Sequence, residues 1–182
     1  MPALGGPDHA AHIANLQNLA LKGKAKGDAL ANLVGHILAN MPGVSGITSS
    51  RKDAFNSQEV DIVFEQEPHP DGFPKDDKIP RHVIVECKNL AEPASAMDVA
   101  WFYYKLKTRG LGFGILISSR GLTGSRGRGS AAQDVIKTAL LDKVCIIAMN
   151  GTEIAQCTDT ADFIVKVKVR ISELVLDRTQ FC

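Results

Sequence analysis

From Asp28 onward, Leu30, Leu33, Val34, Ile37, Leu38 and Met41 recur at helical spacing, Asp28 stands where a cap would, and Pro42-Gly43 stops the run. The spacing predicts a helix over 28–41. Ahead of it, residues 1–25 mix Gly5, Gly6 and Pro7 with a short apolar pattern and the run Lys22-Gly-Lys-Ala-Lys-Gly27, which predicts a mobile arm or a weakly packed helix. Gly46–Ser50 reads as a short strand, and Glu59-Val-Asp-Ile-Val-Phe64 as a second, with β-branched and aromatic residues alternating against acids. A proline-rich turn leads to a third strand, Arg81–Lys88, so strands two and three form a hairpin with an extended loop. Helical spacing returns at Met97–Arg109 through Val99, Phe102, Tyr103 and Leu106. Gly112–Ser118 is nearly all apolar, as in strands buried on both faces, and strand, helix, buried strand implies a right-handed crossover to a parallel neighbour. After the glycine-rich loop Gly121–Ser130 come a helix through Val135, Ile136, Leu140 and Leu141 and the strand Val144–Ala148. In the tail, Val165, Val167, Val169 and Ile171 alternate as a strand would, whereas Ile164, Val167, Ile171 and Leu174 fit a helix, which the length favours. The order α-β-β-β-α-β-α-β-α places the chain in the α/β class, a mixed central sheet flanked by helices.

With 182 residues, 45% hydrophobic and 23% charged, the chain suits one α/β domain with a real core and argues against a disordered chain, a coiled coil or a disulfide scaffold. Cys87, Cys145, Cys157 and Cys182 show no C-x-x-C pairing, so they read as reduced thiols. No apolar run approaches the roughly 18 residues of a membrane span, and the opening residues lack a signal-peptide pattern; a cytoplasmic location is the expectation. A net charge of +1 hides an asymmetry: ten acids stand against four bases from Asp53 to Glu92, while Val99–Gln133 holds six bases and no acid. An acidic block followed by a basic one suits a metal held beside a polyanion; the alternative is a chance asymmetry on a solvated surface.

The sharpest constellation is Asp61 on the second strand with Glu86-Cys87-Lys88 at the end of the third. Side chains two apart share a strand face, so Glu86 and Lys88 point the same way, with His82 and Ile84, and the hairpin lets Asp61 join them. Two carboxylates and an ammonium on an apolar sheet are costly unless something satisfies them. Hard oxygen donors suit Mg2+ or Mn2+, ligated by Asp61, Glu86, the carbonyl of Cys87 and waters. Such an ion activates water and offsets phosphoryl charge, while Lys88 orients the nucleophile or stabilises the transition state, which is machinery for phosphodiester hydrolysis. The alternative is a plain ion pair on a solvated strand face.

Lys26-Gly-Asp-Ala-Leu30, the helix running to Met41-Pro-Gly43, Glu59-Val-Asp-Ile-Val63, Val83-Ile-Val-Glu-Cys-Lys-Asn89, the helix beginning at Asp98, Arg109–Ile115 and Gly121-Leu-Thr-Gly124 follow one another in a familiar order. Across residues 26–149 the chain resembles the restriction-endonuclease-like PD-(D/E)xK nucleases, specifically the small bacterial Mrr-like proteins. The resemblance implies an αβββαβ core within a nuclease-like domain over 26–182, with Asp61, Glu86 and Lys88 catalytic. It further implies a Mg2+-dependent endodeoxyribonuclease acting on DNA in restriction of or defence against foreign DNA, with repair behind it; cutting both strands takes two copies, which predicts a homodimer, and a small domain with few base-reading candidates suits a protein partner that supplies targeting. In two places the chain departs from the family pattern. Asp61 follows Val60 instead of proline, and the first-helix turn that carries a glutamate in many relatives reads Leu30-Ala31-Asn32-Leu33. Either a single-ion site suffices, or Glu59 or Asp28 substitutes, or activity is weakened, leaving a nuclease-fold nucleic-acid-binding or assembly module.

On the helix after the motif, Asp98, Trp101 and Lys105 share one face, so that Lys105 would meet a phosphate and Trp101 a base, or the aromatic simply covers the sheet. Arg120, Arg126 and Arg128 among glycines would clamp a nucleic-acid backbone, or belong to a solvated loop. Gly110-Leu-Gly-Phe-Gly114 precedes a strand instead of opening a helix and is no dinucleotide cradle. His9 and His12 lack a third metal ligand, a structural role suits His82, and Ser118 and Ser119 lack a nucleophile elbow.

Overall fold

One mixed sheet carries the strands in sequence order: β1 (Val44–Lys52), β2 (Glu59–Gln66), β3 (His82–Lys88), β4 (Phe113–Ser118) and β5 (Cys145–Asn150). The computed structural model of the chain describes residues 3, 4, 6–18, 20, 21, 23–52, 59–73, 79–124 and 131–176. Arg126, Arg128 and Cys182 lie outside the described residues. The β1–β2 and β2–β3 pairs are antiparallel, and β3–β4 and β4–β5 are parallel. Six helices accompany the sheet among the described residues: α1 (Pro7–Gln17), α2 (Gly23–Ala39), α3 (Ala96–Thr108), α4 (Ala131–Leu141), α5 (Gly151–Ala155) and α6 (Thr160–Val175). None is long and apolar enough to cross a membrane.

The expected α-β-β-β-α-β-α-β-α order is present, with α1 and α5 added. α2 begins at Gly23, so Asp28 sits inside it and is not its cap. Its periodic residues Leu30, Leu33, Val34, Ile37 and Leu38 are all fully buried. Gly43 then takes φ +78, and a Cβ there would stand 2.4 Å from the Glu67 carbonyl oxygen, so the chain can reverse into β1 only with glycine. The first 25 residues hold α1, which packs on α2 and buries His9 with its Nε2 3.1 Å from the Cys157 carbonyl; Leu4 is buried as well. The ambiguous tail is helical: Phe163, Ile164, Val167, Ile171 and Leu174 form the buried stripe, and the exposed Val165 and Val169 made the strand-like alternation. α5 spans five residues, too few for periodicity, and is set by a capping box between Asn150 and Glu153.

β4 is buried at every position, as expected of a strand covered on both faces. The β3–β4 register pairs Ile84 with Gly114, Glu86 with Leu116 and Lys88 with Ser118. A Cβ at Gly114 would lie 2.7 Å from Phe102 Cζ and 2.8 Å from Leu106 Cδ1. The bare glycine thus lets α3 approach the sheet on the face that Ile84, Glu86 and Lys88 share. α3 is held at its start by a capping box in which Ser95 and Asp98 bond each other's backbone N–H.

Candidate active site

The β2–β3 register pairs Ile62 with Val85, Val63 with Ile84 and Glu65 with His82. Carried one step further, it sets Asp61 against Glu86, and the ladder there is replaced by a side-chain contact: Asp61 Oδ2 accepts the Cys87 backbone N–H at 2.6 Å. Asp61 is half-buried, whereas Glu86 is only 2% exposed. A carboxylate so deep needs compensation. Lys88 supplies one ammonium, with Nζ 2.8 Å from Glu86 Oε1. Lys105, reaching down from α3, supplies the second, at 2.9 Å from Oε1 and 2.7 Å from Oε2. Beside them Ser118 Oγ, across from Lys88, is buried with no hydrogen-bond partner among the described residues.

Lys105 is the main correction to the sequence reading. It was expected on an outward, phosphate-facing stripe with Trp101; instead it is buried at 5% exposure and clasps both oxygens of Glu86, while Trp101 stays exposed and stacks on Tyr104. On the helix it borders the apolar stripe of Val99, Phe102 and Leu106, and the close approach at Gly114 turns that border inward. Asp98, expected on the same stripe, is taken up by the α3 cap.

Burial and the neighbouring charge of Glu86 push the Asp61 carboxyl up to about 6, against the pull of the Cys87 N–H, Lys88 and Lys105. Burial pulls the Lys88 ammonium down, but Glu86, Asp61 and Asp98 outweigh it and hold it above its ordinary value. Burial, with Asp61 and Glu86, raises the Cys87 thiol well above its usual range, so its sulfur is no nucleophile. Cys145 and Cys157 are also buried free thiols.

The site opens into a cleft of about 570 Å³ walled by α2, β1, β2, β3 and α3. Asp28 and Glu59, the two acids weighed as substitutes for a helix glutamate, both line it, as do Ala31 and Asn32 from the turn where that glutamate was missed. Arg120 does not; it follows β4 at a separate cleft. Among the described residues no group of three or more His, Cys, Asp or Glu side chains converges on a metal position. The donor chemistry still fits a hard divalent ion. Mg2+ is commonly held by one or two carboxylates together with waters and substrate phosphates, and Asp61 and Glu86 are two such carboxylates at an open cleft.

Fold and site together define an α/β protein whose mixed sheet ends in a buried carboxylate–lysine cluster facing a wide cleft. No protein-family model matches the chain, and no curated protein matches it as a relative.

Proposed function

We propose that this chain is a metal-dependent endonuclease that hydrolyses DNA phosphodiester bonds on the restriction-endonuclease-like PD-(D/E)xK plan. The observation that carries the reading is Asp61 beside Glu86 across β2 and β3, both at the wall of an open cleft, with the Lys88 ammonium 2.8 Å from Glu86 behind them. The run α2-β1-β2-β3-α3-β4 agrees with the αβββαβ core that the resemblance implies. Asp61 and Glu86, with the Cys87 carbonyl, would hold Mg2+ or Mn2+. Such an ion, when bound, lowers the pKa of water and offsets charge on a phosphoryl oxygen. Lys88, the more exposed of the two ammonium groups, has the room to turn toward the attacking water or a phosphate oxygen, whereas Lys105, which also borders the cleft, is held on both oxygens of Glu86 and acts as a positioning residue for it. Cutting both strands takes two copies of a site this size, hence a homodimer, and restriction of or defence against foreign DNA is the role that goes with the plan.

Supercoiled plasmid, single-stranded DNA and RNA, each incubated with Mg2+, Mn2+ or EDTA, test it. Metal-dependent cutting of DNA is expected, reduced roughly 100-fold or more in Lys88→Ala and Asp61→Ala. Cutting that survives both substitutions would overturn the assignment. One observation favours a second reading, a module that binds nucleic acid without turnover. Ala31 and Asn32 occupy the cleft wall where a carboxylate would complete the site, and both oxygens of Glu86 are already engaged by lysines. DNA binding without cutting in any metal would select it.

A further inference from the structure

A second cleft, of about 260 Å³, lies beyond the carboxyl ends of the parallel strands β3, β4 and β5, lined by Asn89, Ser119 and Gly151, each just past a strand end. In open α/β sheets this is the edge at which ligands bind. Its chemistry is the reverse of the first cleft. No acid is among the residues that line it; Lys26 and Arg120 do, with the amides of Asn15, Asn18 and Asn89 and the hydroxyl of Thr152. Among the described residues neither Lys26 nor Arg120 carries an ion pair. Two unneutralised cations ringed by amide donors form a site for an anion with several acceptor oxygens.

Its position makes that anion specific. The two clefts flank one wall: Cys87 lines the acidic cleft and Asn89 the basic one, on either side of Lys88. The wall is pinned by Asn89 Nδ2, which donates to the Lys26 carbonyl at 2.5 Å, while Gly27 and Asp28 next along α2 turn to the acidic side. Two residues of strand span roughly 7 Å, about the through-space step between consecutive phosphates of one strand. Resting on the nuclease reading for its substrate, we propose that the basic cleft grips one phosphate of the nucleic-acid strand whose neighbouring phosphodiester lies over Asp61 and Glu86. Its role is to hold the strand in place, since a phosphate contact carries no sequence information.

The experiment is fluorescence anisotropy of a labelled single-stranded DNA oligonucleotide with the full chain in EDTA, across a salt series, so that binding is read without cutting. The Lys26→Gln/Arg120→Gln double variant and, separately, Thr152→Asp are compared with wild type and with Lys168→Gln, a surface cation on α6. An aspartate at 152 sits in the first turn of α5, where a carboxylate is tolerated, so loss in that variant is not a folding defect. Both cleft variants should bind about tenfold more weakly, and the double variant should lower the slope of log K against log salt by about 0.7, one phosphate's share. Lys168→Gln should behave as wild type. Wild-type affinity and slope in both cleft variants, or no binding by wild type, would overturn the proposal. Loss of binding in a chain that never cuts DNA would sink the nuclease reading while leaving the phosphate cleft standing.

Discussion

Glu86 is the residue on which the site turns, because a carboxylate 2% exposed is held by two ammonium groups within 2.9 Å. Breaking a buried pair by removing one partner leaves an uncompensated charge and costs about 3–5 kcal/mol. Lys105→Met leaves Glu86 with Lys88 alone, so it should lower the unfolding free energy by less than that, about 1.5–3 kcal/mol for lost hydrogen bonds to a charged group, and Glu86→Gln/Lys105→Met by clearly less than the two single losses combined, in a urea double-mutant cycle. Additive losses would mean the pair is not coupled. Asp61 is strained in the opposite sense. Its carboxyl lies at about 6 in the folded chain against 3.8 ordinarily, so the folded state binds the Asp61 proton more tightly than the unfolded state. That contribution to stability is complete below the ordinary value and lost as pH rises through about 6. Asp61→Asn keeps an oxygen for the Cys87 N–H and removes the charge. In EDTA it should melt higher than wild type above about pH 6, by at most about 3 kcal/mol, with the difference closing toward pH 4. An advantage that is the same at every pH would show that Asp61 is not raised.

At the scale of elements, the cluster exists because α3 lies close on β4, and that closeness rests on Gly114. Gly114→Ala puts a methyl 2.7 Å from Phe102 and 2.8 Å from Leu106, so α3 must lift and draw Lys105 off Glu86. A loss of about 1–3 kcal/mol in urea unfolding is expected, as for overpacked cores; a loss under about 0.5 kcal/mol would show that α3 shifts freely. Gly114 also marks what sequence alone conveys. Local periodicity made the sheet readable: the alternation of β2, the wholly apolar β4 and the stripe of α2 each announce their burial without reference to other elements. Asp61, Glu86 and Lys88 were legible for the same reason, since strand spacing alone puts Glu86 and Lys88 on one face. Lys105 was not legible, because a lysine at the border of an apolar stripe is ordinarily solvated and only a glycine on another element turned it inward. The start of α2 at Gly23 and the five-residue α5 escaped because glycines and short segments carry too little pattern.

Across the whole molecule, the run of acids and the run of bases meet, among the described residues, at one site. β2 and β3 bring acids to one cleft, and the first cation of the basic run, Lys105, turns inward to meet them. The molecule thus places acid-lined and acid-free clefts on either side of the β3 exit. This arrangement predicts how the fold responds to cations. A divalent ion bound by Asp61 and Glu86 in the folded chain, and not in the unfolded one, raises stability by RT ln(1 + [L]/Kd), about 2.7 kcal/mol at a hundredfold excess over Kd. Mg2+ should therefore raise the wild-type melting temperature beyond Na+ at matched ionic strength, and Asp61→Asn or Glu86→Gln should abolish the gain. The Asp61 variant gives the sharper contrast, because its order against wild type should invert above pH 6: Asp61→Asn melts higher in EDTA, and wild type overtakes it as Mg2+ offsets the buried charge, and its repulsion by Glu86, that the substitution had removed. If Mg2+ stabilises both variants as much as wild type, the ion binds elsewhere and these two carboxylates are not its ligands.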